Sequence, residues 1–184
     1  MKSKSIIISL LLLVMISLFQ ISEAQTITVV SDGLNGKELV KDLKNKGIIM
    51  SNIMLPILNY YDFLGTRLKG DIHKLVIIRG SEIPIDTNKP RSQCIEKIKE
   101  FGESKGYTNT TIEVAELLRK NITSEELKKM GYTNLIVIHN PIQDSDGTRL
   151  LFGMDDENNF YCCLCYGGLL FQDLQKIGFV FECY

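Results

Sequence analysis

The chain has 184 residues, of which 45% are hydrophobic and 23% charged, with 14 Gly, 4 Pro, no Trp and a net charge of −1 at pH 7. This composition excludes a disordered tail, a collagen-like repeat and a polytopic membrane protein. No half is strongly basic and no Lys/Arg cluster interleaves with aromatics, so nucleic acid and anionic membrane surfaces have no electrostatic footprint here.

Residues 1–24 read as a signal peptide. Lys2 and Lys4 make a basic start, Ile6 to Phe19 is apolar save for Ser9 and Ser17, and Ser22-Glu23-Ala24 puts small residues where a signal peptidase cuts. The apolar run is short of the roughly 20 residues that a membrane-spanning helix needs, so no stable span is expected after cleavage. The remaining chain, 25–184, has the length of one exported domain, with 25–70 open to being an N-terminal appendage. The expected location is secreted or periplasmic.

Thr26 to Ser31 alternates and is rich in β-branched residues, the signature of a strand. Asn35 then caps a helix over Gly36 to Lys46, stopped by Gly47. Residues 48–64 are ambiguous: Ser51 could cap a helix burying Ile53, Ile57, Tyr60/Tyr61 and Leu64, provided that Pro56 lies in its first turn. His73 to Ile78 is a buried strand. A helix over about 90–105 stops at Gly106 and buries Cys94, Ile98 and Phe101, with Ile95 beside them. Thr110-x-x-Glu113 and Thr123-x-x-Glu126 have capping-box spacing and open short helices over 111–119 and 124–130, the second stopped by Gly131.

Leu135 to His139 is a further strand, followed by a turn at Asp144 to Gly147 and a strand from Arg149 to Met154. Asp155 to Asn159 forms a polar hairpin loop, Phe160 to Tyr166 returns, a helical turn follows near 169–175, and Gly178 to Cys183 is the last strand. The short connection from Tyr166 to Gly178 is at the lower limit of a parallel crossover. The fold class is therefore α+β, with helices preceding a mostly antiparallel C-terminal β meander. An α/β sandwich with βαβ units is the alternative. The order of strand, two helices and several strands is similar to that of the C-type-lectin-like fold, a likeness of element order alone, without that family's motifs.

Five cysteines stand at 94, 162, 163, 165 and 183. Cys162-x-x-Cys165 has metal or redox spacing, but on a strand the two thiols point to opposite faces, and no second Cys/His pair lies nearby. No metal or cofactor is expected. Export permits disulfides, and neighbouring strands of a meander would pair Cys183 with Cys162, Cys163 or Cys165. Gly33-Leu34-Asn35-Gly36-Lys37 lacks the spacing of a phosphate loop. The acidic stretches Asp144/Asp146 and Asp155 to Glu157 read as solvated turns. Asn109 and Asn121 head glycosylation sequons.

His139 ends an apolar strand and is the catalytic candidate, since a loop with Asp144 and Asp146 follows it. No G-x-S-x-G or H-E-x-x-H pattern supports it. The same loop gathers Asn140, Gln143, Asp144, Asp146 and Arg149, a set suited to hydrogen-bonding a polar ligand but without a nucleophile. The expected function is thus a binding or interaction module for an unidentified polar ligand or protein. The alternative is a small exported hydrolase using His139 with a nearby carboxylate or thiol.

Overall fold

The computed structural model describes residues 24–60, 68–143, 147–164 and 173–184. The signal-peptide reading of 1–23, Tyr61, Leu64, Asp144, Asp146, Cys165 and the first part of the 169–175 turn lie outside them. Among the described residues no helix is long and apolar enough to cross a membrane.

Eight strands form one mixed sheet: β1 (Gln25–Val30), β2 (Ile49–Met50), β3 (Ile72–Arg79), β4 (Asn134–Val137), β5 (Ile142–Gln143), β6 (Arg149–Asp155), β7 (Asn159–Leu164) and β8 (Ile177–Glu182), in the order β1-β3-β8-β4-β6-β7-β2, with β5 on β6. Among the described residues five α-helices accompany it: α1 (Gly36–Asn45), α2 (Met54–Tyr60), α3 (Arg91–Ser104), α4 (Ile112–Asn121) and α5 (Ser124–Lys129), with a 3-10 turn at Gly80–Glu82. The class is α+β, but the last strand departs from the expected meander. β8 pairs parallel with β4 and antiparallel with β3, and lies apart from β7. The connection between β7 and β8 is a crossover, and its length meets the bound of about a dozen residues.

The strands alternate faces with period two. Leu75, Ile77, Leu135, Val137, Leu150 and Phe152 join one core with Leu39 and Leu43 of α1, Met54 of α2, Leu118 of α4 and Leu127 of α5. Val76, Ile78, Ile136, Ile138, Leu151 and Phe179 point the other way, onto Ile95 and Ile98 of α3. β1 pairs with β3, and Val29 shares the first core with α4. α3 approaches β8 so closely that a Cβ on Gly102 would stand 2.3 Å from Phe181 Cε1.

Local signals set the helix ends. Asn35 and Glu38 make a reciprocal capping box, as do Thr123 and Glu126, and Gly47, Gly106 and Gly131 stop helices at positive φ. Pro56 is third in α2, where its missing N–H costs nothing. Thr110-x-x-Glu113 is not a capping box. The N-cap of α4 is Thr111, without a side-chain bond, because the Thr110 hydroxyl donates to the Ile138 and Thr111 carbonyls and Glu113 takes the Ser31 hydroxyl. Long-range partners outcompete the local motif.

Candidate functional site

The C-terminal ends of β4 and β8 and the start of β6 meet at one end of the sheet. There the chain leaves the ladder: His139 N–H turns back to the Val137 carbonyl at 3.2 Å, while Ile138 N–H still bonds Val180 of β8. The His139 ring folds inward. Its Nε2 accepts the backbone N–H of Phe152 at 3.0 Å, and its Nδ1 lies 2.7 Å from the Asn140 carbonyl. A carbonyl only accepts, so Nδ1 carries the proton and the imidazole is neutral. Burial pushes its pKa down to about 4, against the Asn140 bond and with a small push from Lys99.

That arrangement engages the whole of the His139 ring in structure. Both nitrogens are committed, the ring is fully buried, and it stands edge-on to Phe152 with centroids 5.4 Å apart. No lone pair remains for a general base, and protonation would break a ladder bond.

A cavity of about 510 Å³ opens at this end, and Asn140, Gln143 and Arg149 line it together. Thr110, Thr111 and Ile112 make the opposite wall. This wall belongs to a short extended segment that crosses the sheet end: Thr108 exchanges both backbone bonds with Glu182 at 2.9 Å, and Thr110 N–H bonds Ile138 at 2.7 Å. The first turn of α4 thus meets the cavity without a side-chain cap, leaving its N–H groups partly positive. Among the described residues nothing engages the Arg149 guanidinium, which also borders a second cavity of similar volume beside α3. Asp144 and Asp146, the other expected ligand contacts, lie outside the described residues.

The remaining candidates resolve into structure. Asp155 closes its own turn, its carboxylate accepting the N–H groups of Glu157 and Asn159 and the Asn159 amide. Asn158, at φ 73°, accepts from the buried Arg119, whose pKa is lowered by burial against the field of Asp155. Cys183 carries a free thiol. The expected bridge from it to Cys162 or Cys163 fails because β4 and β6 separate β8 from β7, about 14 Å at ordinary strand spacing, and Cys165 lies outside the described residues. Cys94 is buried on α3, its thiol donating to the Asp86 and Lys89 carbonyls. Of the two sequons, Asn121 is exposed at the end of α4 with its amide on the Leu117 carbonyl, whereas Asn109 is half-buried between the Thr108 and Thr110 bridges.

One cluster has no local signature in the sequence. His73 of β3 places Nδ1 3.0 Å from Glu182 Oε1 of β8 and Nε2 4.0 Å from Glu113 Oε2 of α4, and the Ser31 hydroxyl donates to the other Glu113 oxygen. Only the strand order brings residues 31, 73, 113 and 182 together. Among the described residues no group of His, Cys, Asp and Glu has the makings of a metal site. Compared with protein-family models, curated proteins and solved structures, the chain matches none.

Proposed function

We propose that the protein is an exported binding module, secreted or periplasmic, that takes a small anionic polar ligand in the cavity at the sheet end. The observation that carries this reading is the Arg149 guanidinium, unengaged among the described residues, beside Asn140 and Gln143 in a cavity where the His139 ring is locked. A guanidinium offers a forked set of donors to a carboxylate or phosphate. The uncapped first turn of α4 favours the same sign of charge. Ile112, Pro141 and Ile142 supply apolar area for the rest of the ligand. Export is supported by the basic, apolar and small-residue order of residues 1–24.

The test is a thermal-shift series with inorganic phosphate and a panel of N-acetylated amino acids. At least one probe should raise the melting temperature of the protein, and Arg149→Ala should abolish that rise while leaving the unliganded melting temperature unchanged. A rise that survives Arg149→Ala, or no rise with any probe, would overturn this assignment.

A further inference from the structure

The two carboxylates that flank His73 bracket one wall of the cavity. Glu182 is the backbone partner of Thr108 at the near end of the crossing segment, and Glu113 follows Thr111 and Ile112 at its far end. The His73, Glu113 and Glu182 side chains are only 12, 11 and 20% exposed. A single imidazole therefore stands between the two anchors of the Thr108–Glu113 segment.

The geometry sets what that imidazole meets. Ionised carboxylates only accept hydrogen bonds. A neutral ring has one N–H, so in that state one nitrogen would turn a lone pair toward a carboxylate. The ring Nε2 is buried and has no hydrogen-bond partner, with Glu113 just beyond bonding distance at 4.0 Å. Two N–H groups, one toward each carboxylate, are what the surroundings favour. Ser31 holds the Glu113 carboxylate from the other side. Among the described residues, β1 carries no charged residue, and Lys74 and Cys183 fall on the opposite face of their strands. Glu116, one turn along α4, adds a further acidic group to the side that already holds Glu113.

We infer that His73, doubly protonated, is a pin that holds the Thr108–Glu113 wall in place, so that loss of its proton slackens the wall and weakens capture of the ligand. The device regulates the site proposed above and rests on that reading for its ligand. The pin itself is a local property of the fold.

Native-state hydrogen exchange on the full chain reads the pin without any ligand. Protection factors of the Thr108 and Val114 amides, corrected for intrinsic exchange, are compared at about pH 5.5 and about pH 8.5, either side of the ordinary histidine range. The expected result is a loss of protection of about tenfold at the higher pH, the scale of one charge-assisted hydrogen bond, with the Phe152 amide unchanged. In His73→Gln the same amides should be weakly protected at both pH values. Should that variant fail to fold, the two imidazole ¹⁵N resonances of His73 in the unaltered chain report directly whether both nitrogens carry protons at the lower pH. Protection independent of pH, a pH response that persists in His73→Gln, or a singly protonated ring at the lower pH would overturn the pin. The N-acetylated amino acid that gives the largest thermal shift, titrated at both pH values, tests the coupling: weaker binding at the higher pH supports it and equal binding overturns it. A chain that binds no probe at either pH, yet keeps the exchange response, overturns the ligand assignment and supports the pin.

Discussion

Phe152 donates its backbone N–H to His139 Nε2 at 3.0 Å, so a side chain closes a rung that the β4–β6 ladder leaves open. The ring does so only while neutral. Its folded-state pKa of about 4 lies below the usual 6.5, so this contribution to stability is whole above about pH 6.5 and is lost as pH falls toward 4, to a total of roughly 3 kcal/mol. His139→Phe should cost about 2–4 kcal/mol at neutral pH by leaving the Phe152 N–H unpaired. It should also flatten the part of the acid dependence that the unaltered chain owes to this ring. Urea unfolding at several pH values compares the two slopes, and equal slopes would return His139 to the pool of catalytic candidates.

Gly102 offers a test with a counter-intuitive sign. Alanine is a better helix former than glycine by about 1 kcal/mol, so Gly102→Ala in an exposed helix would stabilise. Here the added Cβ would meet the Phe181 ring at 2.3 Å, and overpacking costs about 1–3 kcal/mol. The melting temperature should fall. A rise would mean that α3 rides farther from β8 than described.

Within α3 Ile98 is core, whereas Phe101 packs at the core's edge. Ile98 is fully buried, whereas Phe101 is half-buried with the Lys105 ammonium 5.4 Å above its ring. Ile98→Ala should cost about 2–5 kcal/mol and Phe101→Ala less than the 3–5 kcal/mol of a fully buried phenylalanine. Chemical denaturation of the two variants gives the ranking, and a costlier Phe101→Ala would reverse it.

Cys183 should alkylate in the folded, unreduced protein. Cys183→Ser should leave the non-reducing melting temperature unchanged, since its thiol is free and its strand does not border β7. Peptide mapping that recovers Cys183 linked to Cys162 or Cys163 would require a different strand order.

What the sequence makes legible is what is settled within a few residues. Asn35 with Glu38, Thr123 with Glu126 and the glycines at 47, 106 and 131 act on their own backbone, and the strand alternation around Val76 and Ile136 is a property of the pleat. Thr110 and Glu113 have the same spacing as a true capping box, yet their partners are Ile138 and Ser31, far along the chain. Asn140, Gln143 and Arg149 were readable as one loop surface because they are close in sequence. The opposite cavity wall and the His73 cluster were not, since each depends on where β8 inserts.

That insertion has a consequence for how the molecule comes together. Without β8, the strand pairs β1–β3 and β4–β6–β7–β2 share no edge. The last strand is a keystone whose β3 partners lie about 100 residues earlier in the chain, so the two halves of the sheet cannot lock together until it arrives. Contacts of such range slow folding. A nascent chain short of residue 177 is therefore two unfinished sheets with open edges, a state that a chaperone would have to shield.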